Sequence, residues 1–333
     1  MSSRTEQGAV SALGNPRAAR PGRAWRSRSR AGRWTRSPLR RREAWAGLAF
    51  TLPWIVSLLA FTAYPVGASF FYSFTEYSIV QPPEWVGLEN YRTMLTADPS
   101  FWIAVRNSAY FALISVPAGL LASLVLALIL NMSAKGIGVY RTLFYLPVLA
   151  PPVVSTIVFM LLFSPDSGLV NTLLRSVGLP TPGWLTDPAW SKPTLIILSL
   201  WGLGASTLIF LAGLKEIPQS LLESAAIDGA GPWARLRYVT IPLLSPVILF
   251  NLVMGVISSF QVFTSAFIVG GTSGEPLEST LMYVVLIYRN AFRYFSMGYA
   301  SALSVVLFLA ILLLTLLIFA TSRKWVFYAG RDQ

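Results

Sequence analysis

The segment Glu223-Ser224-Ala225-Ala226-Ile227-Asp228-Gly229-Ala230, followed by Ile241-Pro242-Leu243, holds the residues best suited to chemistry between chains. Pro218 suits a first helical turn, and Leu221, Leu222 and Ala225 share one face at helical spacing, with Ala226 beside them. Asp228-Gly229 stops that helix, because glycine tolerates the positive φ of a helix C-terminus. Pro232 restarts a second helix, whose Trp233, Leu236 and Val239 form an apolar ridge flanked by Arg235 and Arg237. Two short helices at an angle have two uses: a peg that seats in a partner's groove, or a hairpin on a membrane surface with Glu223 merely solvated.

A second set of residues lies in apolar surroundings. Trp201 and Ser206 fall in one apolar run, Asn251, Ser258, Ser259, Gln261, Thr264 and Ser265 in the next, and Ser301 and Ser304 in a third. Hydroxyl and amide groups backed by aromatic rings suit a sugar, whose hydroxyls need donors and acceptors while its C–H faces stack on rings. The bland alternative is local: Ser and Thr in such helices bond their own backbone or pack at helix interfaces. Trp201, Ser258, Ser259 and Gln261 form the candidate substrate path, since Ser258-Ser259-Phe260-Gln261 sits where lipid penalises polar groups most.

Other chemistry is excluded by composition. The chain has no histidine and no cysteine, which removes disulfides, imidazole and thiolate metal ligands, and nucleophile–base pairs built on either residue. A phosphate-binding loop needs Gly-Lys followed by Ser or Thr, and none of Lys135, Lys192, Lys215 and Lys324 stands in that context. Any ATPase must be another polypeptide.

The elements that position these groups are membrane helices. Of 333 residues 54% are hydrophobic and only 12% charged, far more apolar surface than a soluble core of that size needs. Apolar windows able to cross roughly 30 Å of hydrocarbon recur at Trp45–Tyr72, Ala104–Leu130, Leu146–Phe163, Thr194–Leu214, Leu243–Val269 and Tyr299–Thr321. These windows contain no Asp, Glu or Lys, and Arg106 sits only at an outer edge, which argues against a proton relay. Pro117, Pro147, Pro151 and Pro152 should bend the second and third spans. With the N-terminus inside, the inner segments carry 20 of the 26 Lys and Arg, so both termini and the Glu223 loop are expected in the cytoplasm. Residues 1–43 hold twelve arginines among Ser, Gly, Ala and Pro, and read as a disordered basic tail that enforces orientation and leans on lipid phosphates; nucleic-acid binding is the alternative.

The pattern Glu-x-Ala-x-Ile-Asp-Gly-Ala, then Ile-Pro-Leu and Pro246, resembles the EAA loop of carbohydrate-type ABC importer permeases of the maltose-importer class. Ser224 replaces the usual first alanine, a small change in size. The resemblance extends to Trp85-Val86-Gly87-Leu88-Glu89-Asn90-Tyr91, Tyr140-Arg141-Thr142 and Gly298-Tyr299-Ala300-Ser301-Ala302, and covers about residues 45–325.

That resemblance implies an all-α polytopic membrane protein of six transmembrane helices with the type I importer permease (MetI-like) fold. The permease domain would span 44–325, with 215–242 as cytoplasmic coupling loop and 326–333 as cytoplasmic C-terminus. Glu223 would pair with an arginine of the ATPase, Asp228 and Gly229 would make the bend, and Ala225, Ala226, Ala230 and Trp233 would supply the packing surface. The implied partners are a second homologous permease subunit in a heterodimer, an ATPase dimer that binds ATP and Mg, an extracytoplasmic solute-binding protein, membrane lipids and a sugar. This chain would be a non-enzymatic pore with no cofactor of its own, in a bacterial or archaeal plasma membrane. Importers of another polar solute, such as a glycerophosphodiester or polyamine, and a non-transport membrane scaffold are the alternative readings.

Overall fold

In lipid every backbone N–H and C=O must be satisfied within the chain, so long apolar windows fold as helices. The computed structural model describes residues 38–327. The basic tail expected over 1–43 therefore lies outside the described residues up to 37, while 38–43 already belong to the first helix, α1 (Pro38–Leu58). The chain divides into two units, Met1–Leu58 and Leu59–Gln333. The first unit contributes α1.

In the second unit α2 (Tyr64–Tyr72) leads to a two-residue antiparallel pair, Thr75–Glu76 with Glu84–Trp85, the small exception to an otherwise helical fold. Then come α3 (Glu89–Thr96), α4 (Pro99–Asn131), α5 (Ile137–Tyr145), α6 (Pro152–Leu162) and α7 (Leu169–Ser176). They are followed by α8 (Pro188–Leu200), α9 (Gly204–Glu216), α10 (Gln219–Ile227) and α11 (Pro232–Arg235). A π turn joins α11 to α12 (Ile241–Phe260), and α13 (Thr264–Gly270), α14 (Tyr283–Tyr288) and α15 (Met297–Ser322) complete the chain.

Among the described residues, four helical stretches are long and apolar enough to cross a membrane: Trp45–Tyr72, Pro99–Asn131, Pro232–Gly270 and Met297–Ser322. Two bent pairs raise the number to six if each is one span. The expected third span, Leu146–Phe163, is one of them: α5 and α6 meet at 99°. Proline is the cause, because the residue before a proline is driven out of the helical region. Ala150 and Pro151 accordingly have ψ of 133° and 137°. The expected fourth span, Thr194–Leu214, is likewise two helices, α8 and α9, meeting at 48° across Trp201-Gly202-Leu203. Its first helix starts at Pro188 and so takes in Lys192. α4, by contrast, runs unbroken through Pro117.

α4 is the central post, packing on α8, α9, α12 and α14. At one end Phe101, Phe111, Leu195, Leu281, Met282, Leu286 and Leu303 form a buried core, and at the other Ala127, Phe210, Leu211, Leu214 and Leu244 form a second. Tyr283 is buried in the first, where desolvation pushes its phenol up, so it stays protonated and donates to the Leu303 carbonyl at 3.1 Å.

The flanking motifs are structural staples. Asn90 donates to the carbonyls of Ser73 (3.0 Å) and Thr75 (2.9 Å), and the Tyr91 hydroxyl donates to Ser73 Oγ at 2.8 Å, locking α3 under α2. Gly298 lies so close to the Thr75 carbonyl that a Cβ would collide with it, and its N–H donates to Tyr77 O at 3.1 Å. Arg141 reaches the Leu130 carbonyl at 2.7 Å and caps the end of α4, where the helix dipole favours a cation.

Candidate functional site

The connection after α9 is a built helix end. Asp228 ends α10, Gly229 adopts φ +83°, its N–H donates to Ala226 O at 3.1 Å, and Ala230 N–H donates to Ala225 O at 2.9 Å. This is the paired closure of a left-handed helix terminus, and it explains the sequence: a glycine for the positive φ and small residues where the two ends meet. Nothing lies within 4 Å of a Cβ added at Gly229, so the requirement there is conformational, not steric.

Leu222 packs inward against the core of Phe210, Leu214, Ile217 and Leu244, which anchors α10 to the body. The opposite side is uncovered. Ile227 is 86% exposed, Trp233 72% and Tyr238 73%, three large apolar side chains left uncovered on this connection. Glu223 and Ala226 are exposed beside it, Ala225 and Ala230 half-buried, and Glu223 makes no ion pair among the described residues. Of the seven loop residues singled out in the sequence, Glu223, Ala225 and Ala226 lie on α10, Asp228, Gly229 and Ala230 in the turn, and Trp233 on α11.

The candidate substrate residues are not all brought together. A cavity of about 260 Å³ opens between α4, the α8–α9 break and α12, and Ser258 and Ser259 line it with Ser115, Ser199, Ser206 and Asn251. Ser259 donates to Val256 O at 2.8 Å and Asn251 to Val247 O at 3.0 Å, so both are satisfied by their own helix. Ser258 is exposed with no side-chain hydrogen bond among the described residues. Gln261 is not a lining residue: it caps the end of α12 with φ −99° and ψ 12°, and the helical spacing that would align it with Ser258 stops at Phe260. Trp201, in the break after α8, stacks edge-on against Phe159 at 5.6 Å and lines a neighbouring cavity of about 400 Å³ with Pro147, Pro152, Thr264 and Ser265. Sequence reasoning missed Ser115 and Ser199; both are serines inside apolar runs, the same signal that singled out Ser258. No group of three or more carboxylates, histidines or cysteines able to hold a metal exists among the described residues.

A multi-pass helical membrane protein with an uncovered helix–glycine–helix segment on one connection is a class that transport subunits share. Residues 115–325 match the family described as binding-protein-dependent transport system inner membrane component, and the chain belongs to it. It is 44% identical over 295 residues to the probable ABC transporter permease protein YesP of Bacillus subtilis, covering 88% of this chain and 95% of that protein. It is 34% identical over 296 residues to the lactose transport system permease protein LacF of Rhizobium radiobacter, covering 87% and 98%. Among solved structures, a bacterial alginate ABC transporter in complex with an alginate pentasaccharide-bound periplasmic protein superposes with a TM-score of 0.76 at 25% identity, covering 85% of this chain and 96% of the matched one.

Proposed function

We propose that this chain forms part of the translocation path of an ATP-driven importer for a sugar or oligosaccharide delivered by an extracytoplasmic binding protein. The observation that carries the coupling reading is the exposure of Ile227, Trp233 and Tyr238, with Glu223 making no ion pair among the described residues, on a connection closed by the positive φ of Gly229. Such uncovered apolar side chains fit a partner's groove, with a lipid surface as the competing cover. The ATPase is a separate chain that supplies ATP and Mg binding, since none of the four lysines sits in a phosphate loop. Glu223, Ala225, Ala226, Asp228, Gly229, Ala230 and Trp233 are the docking surface. Ser258 and Ser259 mark the substrate route, Trp201 lines the cavity beside it, and Gln261, at the end of α12, lies outside the lining.

Sugar is the substrate class favoured by the names of the lactose and alginate relatives and by the neutral serines and amide of the cavity. A second, homologous permease subunit completes the path, because the cavity lies open on this chain. The subunit sits in the plasma membrane with both termini and the 215–242 loop in the cytoplasm, as 20 of 26 basic residues require.

Co-purification tests the coupling reading. The full-length chain should recover an ATPase from its own cells, and Glu223→Lys should lose it while remaining inserted, because the change leaves like charges facing one another at a docked interface, a cost of about 2–5 kcal/mol. Unchanged recovery with normal uptake would return the loop to a hairpin on the membrane surface.

A further inference from the structure

The end of the molecule remote from the 215–242 loop carries a cleft of about 680 Å³ that neither the docking surface nor the substrate route uses. It lies between the outer turns of α4 and α8 and the loop at 277–279, and two of its lining residues are Arg106 and Lys192. Neither makes an ion pair among the described residues. Lys192 Nζ donates to Asn107 Oδ1 at 3.2 Å and lies 5.7 Å from the centre of the Tyr110 ring, which leaves two of its protons free. The carboxylate at the rim, Glu278, is already engaged: Arg289 pairs with it at 3.2 Å and the Ser100 hydroxyl donates to it at 3.1 Å. Asn107 in turn donates to the carbonyls of Glu278 and Leu281 at 2.7 and 3.1 Å, and Glu278, held through Oε1 by Arg289 and Ser100, is the one carboxylate among the lining residues, so Arg106 and Lys192 leave the cleft net positive.

The remaining walls are apolar and uncovered. Leu113 is 75% exposed and Leu277 86%, and Leu277 is held out by a left-handed φ of 49° followed by another of 55° at Glu278. Depth follows from the aromatic residues. Trp102 on α4 and Trp190 on α8 are both exposed in the first turns of their helices, the position of tryptophans at a membrane–water interface. Arg106 is one turn further along α4, and Lys192 two residues further along α8, so both cations sit at headgroup depth. Helical spacing also decides which side they face. The cleft uses Ile103, Arg106, Tyr110 and Leu113 of α4, whereas the serine-lined cavity uses Phe111, Ser115 and Gly119, a set rotated to roughly the opposite face at 100° per residue. Arg106 therefore points away from the substrate route, and Lys192 stands about two turns nearer the N-terminal end of α8 than the cavity-lining Ser199.

We propose that this cleft binds one anionic glycerophospholipid, its phosphate between Arg106 and Lys192 and an acyl chain along Ile103, Leu113 and Leu277. A cationic pair above an apolar wall at headgroup depth matches that ligand at both ends, and a soluble acid matches only one. The lipid would fasten the outer ends of α4 and α8 to the 277–279 loop, adding to the bonds that Asn107 makes with Lys192 and the Glu278 carbonyl.

The test uses the full-length chain with its co-purifying subunits, in nanodiscs of phosphatidylcholine with and without phosphatidylglycerol, and native mass spectrometry of the lipid retained. Each cation near an anionic headgroup contributes about a fivefold preference, so phosphatidylglycerol should be retained roughly 25-fold over phosphatidylcholine. Arg106→Gln and Lys192→Gln should each reduce that preference about fivefold and together abolish it, whereas Arg106→Lys should keep it. Circular dichroism and subunit recovery identify any variant that fails to assemble, and the Arg106→Lys comparison then stands alone. Equal retention of the two lipids by the unaltered protein overturns the proposal. So does displacement of phosphatidylglycerol by millimolar soluble glycerol phosphate, which would mark the cleft as a site for a free anion.

Discussion

Gly229 and Glu223 separate two demands on the same short connection. Gly229 is needed for its φ of +83° and for the N–H that it donates to Ala226 O, whereas nothing crowds its Cα. Gly229→Pro should therefore be severe, since proline fixes φ near −65° and removes the donor, while Gly229→Asn should cost about 1 kcal/mol or less locally. Uptake in membrane vesicles and ATPase recovery should both collapse for the proline variant and survive for asparagine; equal loss in both would mean that the site needs an absent side chain and not a backbone angle. At the cavity, Ser258 and Gln261 are told apart by position. Ser258→Leu fills the serine-lined space and should raise the substrate concentration for half-maximal uptake about tenfold, while Gln261→Leu, outside that space, should change it little. A larger effect from Gln261 in the same uptake assay would move the route toward the α12–α13 break.

At the scale of elements, prolines and glycines decide where spans stop being simple rods. The α5–α6 bend of 99° follows from Pro147, Pro151 and Pro152, and the 48° bend of α8–α9 centres on Trp201-Gly202-Leu203. Pro117 does not interrupt α4, because the surrounding helices hold that post in place on several sides. α2 and α15 meet through the edge-on pair Phe70–Phe308 at 6.2 Å, while the two Asn90 bonds hold residues 73–75 to α3 and the close approach of Gly298 to the Thr75 carbonyl sets the antiparallel pair against the start of α15. Asn90→Ala should destabilise this end by about 1–3 kcal/mol, the cost of leaving part-buried carbonyls without their donor. Gly298→Val should do at least as much through overpacking. Thermal unfolding of the purified complex in detergent reads both, and an unchanged midpoint for Gly298→Val would show that the two segments move apart freely.

For the whole molecule, charge asymmetry and apolar exposure make the largest claims. Reporters fused at Lys215 and after the C-terminus should report cytoplasm, and one within 166–192 should report the exterior, since 20 of 26 basic residues fall on one side of a six-span arrangement. An exterior signal at Lys215 would reverse the assignment of the docking surface. The C-terminal stretch is tied to that same side: Phe327 N–H donates to Ser245 Oγ at 2.8 Å, near the start of α12, so the chain beyond α15 returns beside the 215–242 connection. Ser245→Ala removes that acceptor without altering packing and should increase protease sensitivity of the C-terminus while leaving uptake within about twofold.

Length, apolar periodicity and local punctuation are written into neighbouring residues, and they were legible. The membrane class, the spans over Pro99–Asn131 and Met297–Ser322 within a few residues, and the helix–glycine–helix connection at Glu223 all follow from contributions within a turn or two of chain. The expected role of Gly229 as a break appears as a positive φ, because only a local backbone preference is involved. Tertiary structure decided what depends on residues distant in sequence. It broke the third and fourth spans at angles that no window reports, and it carried Lys192 into α8. It ended α12 at Phe260, so Gln261 left the face it would share with Ser258 in a continuing helix, while Ser199 and Ser115 came to stand beside Ser258 from about 60 and 140 residues away. Polar groups in apolar runs all look alike in sequence; only packing determines which bond their own backbone and which face a cavity.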